Sequence, residues 1–206
     1  MDDSTDLAAG GFSAWLLGIQ AALAGRGESD VPCGTCTGCC TSSQFIHIAP
    51  DETDTLACIP AELRFAAPRM PRGHVLMGYD ERGHCPMLVD DLCSIYEHRP
   101  RTCRTYDCRV FTAAGLEPDD SDKLAIASQV RRWRFGHPTD LDRIQHDAVR
   151  AAASYLQKRS DLLPEGVSAS NTTQVAVLAI EAHGAFLSRR EPEPQAVRVE
   201  LSRRRS

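Results

Sequence analysis

The chain has 206 residues, of which 42% are hydrophobic and 25% charged, with a formal charge of −5. That length suits one compact domain, or one domain with a helical extension. The acidic balance excludes a general attraction to nucleic acid or to an anionic membrane.

The N-terminus Met1-Asp-Asp-Ser-Thr-Asp6 lacks the positive segment that opens a secretory signal. The apolar stretch from Leu7 to Leu23 is broken by glycines and Gln20 and is too short to span a bilayer. These features predict a cytoplasmic protein. Residues 7–25 read as an amphipathic helix ended by Gly25 and Gly27. Cys33 to Ser43 reads as a loop, and Phe45-Ile-His-Ile48 as a short strand. Pro50-Asp-Glu-Thr-Asp54 reads as a helix start with acidic residues at its N-terminal end. Pro60, Pro68 and Pro71 predict an irregular stretch. His74-Val-Leu-Met77 and Cys85-Pro-Met-Leu-Val89 flank a turn at Tyr79–Gly83, and Asp90-Asp91 turns into Leu92–Tyr96. This predicts an antiparallel meander with Cys85 and Cys93 on neighbouring strands. After Pro100 a short helix carries Cys103, with Cys108 just beyond it.

The C-terminal part reads as helical. Asp122 to Phe135 spaces Leu124, Ala127, Val130 and Trp133 three apart. Thr139 begins a second helix with Leu141, Ile144, Ala148, Ala152 and Tyr155 on one face. Pro164 and Gly166 end it. Asn171 and Gln174 resemble a capping box ahead of Val175–Leu187. Glu191-Pro-Glu-Pro194 breaks that helix and leaves a short strand or disordered tail. The predicted class is α+β: a small cysteine-ligated metal-binding domain with short antiparallel strands, flanked by an N-terminal helix and a C-terminal helical segment. The predicted boundaries are 1–30 for the N-terminal helix, 31–112 for the cysteine domain, 113–190 for the helical extension and 191–206 for the tail.

All nine cysteines lie between residues 33 and 108. Eight fall in two blocks: Cys33, Cys36, Cys39 and Cys40, then Cys85, Cys93, Cys103 and Cys108. In a reducing compartment such a cluster binds metal rather than forming disulfides. The odd total and the vicinal pair Cys39-Cys40 also argue against a disulfide framework. In Cys-x2-Cys the sulfurs can turn towards one centre. Small residues between them leave backbone N–H groups to donate to thiolate sulfur. Cysteines at 33, 36 and 39 match the run of a bacterial ferredoxin, whose fourth ligand precedes a proline as Cys85 precedes Pro86. Zinc ribbons would show two Cys-x2-Cys pairs, which the second block does not offer. Cys40 is a candidate for a second site with Cys93, Cys103 and Cys108; the alternative is one four-ligand centre with the other thiols packed or redox-active. Four thiolates leave a net negative charge, which Arg99, Arg101, Arg104 and Arg109 are placed to offset.

Cys-x2-Cys-x2-Cys-Cys followed by Cys-x7-Cys-x-Ile-Tyr-Glu-x-Arg-Pro-x2-Cys-Arg-x4-Cys resembles the CxxCxxCC cysteine-cluster family over about residues 31–112. The resemblance implies a zinc- or iron-chelating domain, with the eight cysteines as ligands. Flagellin lysine N-methylases resemble the same family, which implies an iron–sulfur centre and methyl-transfer chemistry. No Gly-rich nucleotide or S-adenosylmethionine loop accompanies that reading here.

Other residues carry weaker signals. Arg99, Arg104, Tyr96 and His98 are candidates for the outer shell of the site, and His84 and His98 are reserve ligands. His47 reads as a strand residue. His146 and His183 read as solvent-facing or ordinary packing residues, and Cys58 as a buried small hydrophobe. Arg131-Arg-Trp-Arg134 and Arg203-Arg-Arg-Ser206 read as solvated, with RNA or an acidic partner as the alternative. The favoured function is metal binding through the eight cysteines, an iron–sulfur cluster ahead of zinc, with a redox or protein-modification role. The rival is a non-catalytic zinc-stabilised module whose C-terminal helices contact a protein partner.

Overall fold

Two glycines decide how the chain starts. A helix over residues 7–25 would hold Gly10 and Gly11 in its interior, at a cost of roughly 1 kcal/mol each relative to alanine. In a computed structural model, Leu7–Gly11 is instead a strand, β1, and the helix α1 begins at Phe12 and runs to Leu23. Gly10 takes φ +91° beside an irregularity in the pairing of β1. The structure describes residues 5–29, 31–118, 123–159, 163, 171–188 and 191–203.

The remaining elements, in chain order, are β2 (Ile46–Ile48), α2 (Thr53–Cys58), β3 (Arg64–Ala66), β4 (Val75–Met77), β5 (Leu88–Val89) and β6 (Leu92–Cys93). They continue with α3 (Arg101–Thr105), α4 (Arg109–Ala114), α5 (Leu124–Arg132), β7 (Trp133–Gly136), α6 (Asp140–Lys158), α7 (Thr172–Ala182) and α8 (Pro194–Arg203). The fold is α+β. The chain divides into two units: Met1–Gly27 with Asp107–Asp119 and Ala127–Ser206, and Glu28–Tyr106 with Asp120–Ile126. Among the described residues, no helix is long and apolar enough to cross a membrane.

In the first unit, β1 pairs with β7 in parallel, Leu7 opposite Trp133 and Gly11 opposite Gly136. The helix predicted over 122–135 therefore gives up its last turn to a strand, because Trp133 and Phe135 suit a pleated surface and β1 supplies the partner. The helix from Thr139 forms as predicted, with Thr139 and Asp142 completing a capping box. Asp142 also accepts the N–H of Ser13 at 2.8 Å, which ties α6 to the start of α1. The buried side of α6 consists of Asp142, His146, Ala148, Val149, Ala152, Ala153 and Leu156, while Leu141 and Ile144 stay exposed. The apolar face is thus turned from the predicted one, because Asp142 faces inward.

Asn171 caps α7 by accepting the N–H of Gln174 at 2.9 Å. Pro164 and Gly166 lie outside the described residues. The strand or disordered tail expected after Glu191 is corrected to the helix α8. Pro194 opens that helix rather than breaking one, since proline suits a first helical position. Val197 and Leu201, four residues apart, are fully buried. Arg131, Arg132 and Arg134 do not form an open basic patch. Arg131 pairs with Glu117, Arg134 with Asp6, and Arg132 bonds to Gln129, while Trp133 is buried. Of the basic C-terminal run, Arg203 pairs with Glu200 at 3.1 Å, and residues 204–206 lie outside the described residues.

His146 and His183 are both buried, so the solvent-facing alternative is corrected to packing. His146 stacks on Phe12 at 4.2 Å, and its Nδ1 lies 2.8 Å from Nε2 of His137. Burial, then the nearby Arg150 and His137, pull the His146 imidazolium down to a pKa of about 4. The unfolded chain takes up that proton near pH 6.5. The neutral ring's contribution is therefore full above about pH 6.5 and is lost as pH falls towards 4. We expect thermal unfolding between pH 7 and pH 4.5 to show the melting temperature falling with acidification, with a shallower fall in His146→Phe.

Candidate metal centre

The cysteine-bearing unit is built on few apolar side chains. Ile48, Ile59, Met77 and Met87 form its buried cluster, with Ile46, Leu56, Leu63, Val75, Cys85 and Ile95 packed against it. The strands β2, β4 and β3 make an antiparallel sheet in that order, Ile46 and Arg64 both opposite Met77. Strand β3 forms within the stretch predicted to be irregular. Its three residues lie between Pro60 and Pro68, so no proline interrupts the ladder. The single meander is also corrected. β4 pairs with β2 and β3, and β5 and β6 form a separate hairpin with Val89 opposite Leu92. Asp90 and Asp91, both at positive φ, fill its two-residue turn. Cys93 lies on β6, whereas Cys85 lies on no strand.

Loops deliver most of the thiols. Gly34, at φ +56°, turns the chain between Cys33 and Cys36, and the Cys36 N–H returns to the Cys33 carbonyl at 3.0 Å. Gly38 N–H donates to the Cys36 sulfur at 3.4 Å. A Cβ on Gly38 would stand 3.2 Å from the Ala125 carbonyl oxygen, so glycine permits that backbone approach. Cys39 and Cys40 follow on a 3₁₀ turn, Gly38–Thr41. The Cys85 N–H then donates to the Cys40 carbonyl at 2.7 Å, joining the two cysteine blocks through the backbone. Cys103 sits on α3.

Cys40, Cys85, Cys93 and Cys103 crowd one another: each pair among these four interacts electrostatically. Burial, then repulsion from Cys85, Cys93, Cys36 and Cys33, pushes the Cys40 thiol up to about 11. Cys103 is an exposed residue, but desolvation of its sulfur, then Cys85, Cys40 and Cys93, pushes its thiol up to about 12, against an opposing pull from the Arg99 cation. Burial raises Cys85 as well, while the backbone N–H groups of Met87 and Leu88 favour its thiolate. Among the described residues, no three His, Cys, Asp or Glu side chains stand close enough to hold an ion as they are.

Cys108 belongs to the other unit. It is buried at the start of α4, and the Trp133 indole N–H donates to its sulfur at 3.2 Å. Arg109, expected to offset cluster charge, is buried in a pair with Asp107 at 2.7 Å and donates to the Ala9 carbonyl. The Trp15 indole N–H completes the shell of Asp107 at 2.9 Å. Cys58 is exposed at the end of α2, which corrects its reading as a buried hydrophobe. No disulfide joins any of the nine cysteines.

The candidate outer-shell residues lie on the same unit as the thiol quartet. Arg99 stacks over the Tyr96 ring at 4.1 Å and donates to the Tyr96 carbonyl, with Tyr96 itself exposed. Arg104 Nη1 donates to Glu28 at 2.8 Å, and its Nε is buried without a partner. His98 shares a surface cleft with Arg99, Arg101 and Arg104. His84 donates its backbone N–H to Asp80 at 2.8 Å. His47 lies on β2 with its Nε2 2.8 Å from Nδ1 of His74, a pairing with no signal in the local sequence. The donor set fits a thiophilic cation: cysteines that are half-buried apart from the exposed Cys103, backbone N–H groups on two of the sulfurs, and a guanidinium next in sequence to Cys103.

A model of the CxxCxxCC family, described as "Putative zinc- or iron-chelating domain", matches residues 32–127. Over that segment, just under half of the chain, the protein is similar to this family, as the cysteine spacing led us to expect. No curated protein and no solved structure matches the chain.

The loop ahead of Cys85 is tied to the one after Cys40 through Ser43 N–H and the Gly83 carbonyl, 2.9 Å apart. Gly83 has φ +79°, and a Cβ there would overlap Ser43 Oγ. Gly83→Ala is expected to destabilise this unit by about 1–2 kcal/mol, measured by urea denaturation of the metal-free protein.

Proposed function

We propose that the protein is a cytoplasmic metal-binding protein whose centre is held by the thiolates of Cys40, Cys85, Cys93 and Cys103. The observation that carries this reading is the mutual electrostatic repulsion within every pair of those four thiols. Cys33 and Cys36, which also act on Cys40, are the next ligands of the set. Cys39 is the remaining cysteine of the first block in this unit, whereas Cys108, the eighth expected from the sequence, belongs to the other unit. Bound metal supplies the positive charge that lets these thiols ionise together. The protein's own groups prepare the sulfurs for it: Gly38 N–H acts on Cys36, Met87 and Leu88 N–H on Cys85, and the Arg99 cation on Cys103.

An iron–sulfur cluster is favoured over zinc. The first block keeps ferredoxin-like spacing, and Cys85 precedes Pro86 as the fourth ligand of such a cluster precedes a proline. Such a centre suits electron transfer, redox sensing or a role in modifying another protein. Anaerobically purified protein is expected to be coloured, with iron and acid-labile sulfide. Colourless protein with stoichiometric zinc and neither iron nor sulfide would overturn the cluster form.

The thiol chemistry also fixes a pH dependence. Cys40 and Cys103, pushed up to about 11 and 12, are protonated at neutral pH in the metal-free protein. Metal must displace those protons, so apparent affinity rises with pH, by about one log unit per pH unit for each proton released. Competition titrations with a chromophoric chelator between pH 6 and 8.5 check this. A flat profile would remove Cys40 and Cys103 from the ligand set.

A second reading is favoured by the thin core of this unit, in which four residues make up the buried apolar cluster. Here zinc holds a fold that apolar burial alone leaves marginal, and the C-terminal helices serve a protein partner. Complete metal removal then unfolds the cysteine unit, seen as lost circular dichroism and increased proteolysis. Retention of structure and stability without metal would count against it.

A further inference from the structure

Glu52 is a buried carboxylate in the cysteine unit that the proposed chemistry does not use. A buried carboxylate is strongly unfavourable unless its oxygens are satisfied. Here each oxygen takes a backbone donor from a different segment. Oε1 accepts the N–H of Ala49, beside β2, at 2.9 Å, and Oε2 accepts the N–H of Arg101, the first residue of α3, at 2.5 Å. Arg104 Nη2 approaches Oε2 at 3.9 Å. One residue further along α3, Thr102 Oγ1 donates to the His47 carbonyl on β2 at 2.7 Å.

The next residue is Cys103. A five-residue helix has no stability of its own, since nucleating a turn costs more than its few hydrogen bonds return. Its placement therefore comes from outside contacts. The exposed pair of Arg101 with Asp51 is a weak anchor. The buried Glu52 carboxylate and the Thr102 bond are what attach α3 to the sheet.

We infer that Glu52 is the positioning residue that holds Cys103 in register with Cys40, Cys85 and Cys93. This role rests on the reading of those four thiols as ligands. It assigns to a buried acid, distant in sequence from Cys103, the fixing of that ligand's position. Glutamate suits the task because two separate acceptors on one side chain bridge two N–H donors. The substitution Glu52→Gln would turn an NH₂ group towards one of those donors.

Cobalt(II) is the probe, bound to the full chain, because the intensity of its sulfur-to-metal charge-transfer band reports thiolates per ion. At saturating cobalt, Cys103→Ser is expected to lose about a quarter of the band, one ligand of four. Glu52→Ala is expected to lose the same share, with no further loss in the double variant. Arg101→Ala, which keeps its backbone N–H, is expected to retain the whole band. A purely structural role for Glu52 would weaken affinity yet leave the saturated band complete, and that result would overturn the inference. Should Glu52→Ala not fold, Glu52→Gln provides the same comparison, with full intensity again overturning the inference. If Cys103→Ser itself keeps the full band, the four-thiolate reading falls, whatever Glu52 does.

Discussion

The structure of the cysteine unit turns on the crowding of ionisable sulfur in a partly buried place. Two like unit charges ~6 Å apart repel by about 3 kcal/mol at an effective dielectric of ~20. Four thiolates from separate segments cannot share such a neighbourhood unless something positive joins them. Without it the sulfurs stay protonated, as the raised Cys40, Cys85 and Cys103 thiols indicate. The same crowding that opposes ionisation makes a divalent cation or a cluster core a strong partner.

The scaffold around those sulfurs relies on hydrogen bonds more than on apolar burial. Four buried apolar residues form the centre of its core. Around them, specific polar contacts fix the loops: Cys85 N–H on the Cys40 carbonyl, Ser43 N–H on Gly83, Thr102 on His47, and Glu52 between Ala49 and Arg101. A small core with short strands gains little from area alone, so each directional contact carries a larger share of the geometry.

The first unit follows the opposite logic. Phe12, Trp133, Phe111, Leu156, Ile180 and Leu201 are almost wholly removed from solvent. Its polar interior includes satisfied pairs, with Asp107 taking donors from both Arg109 and Trp15. The tail of the second cysteine block enters this unit, where Cys108 is received by Trp133. One sequence motif thus contributes to both units: its earlier cysteines lie in a polar, loop-built setting and its last in an apolar one.

The sequence alone determined the chemical class. Thiol spacing, the vicinal pair, the short helix carrying Cys103, the Asp90-Asp91 turn, and the caps at Thr139 and Asn171 are local signals, set by residues a few positions apart. Tertiary structure decided what depends on distant partners. Strands β1 and β7 replace helical turns because each supplies the other's ladder, and α8 forms where Val197 and Leu201 find an apolar surface. Spacing suggested that Cys85 completes the first block and that Cys40 joins the second. The fold brings Cys40 within electrostatic reach of cysteines from both blocks, with the Cys85 N–H bonded to the Cys40 carbonyl and the Arg101 N–H at the start of α3 bonded to Glu52. Neither bond leaves a periodic trace in the sequence. Local spacing names which atoms can bind metal, and only long-range backbone contacts decide which of them meet.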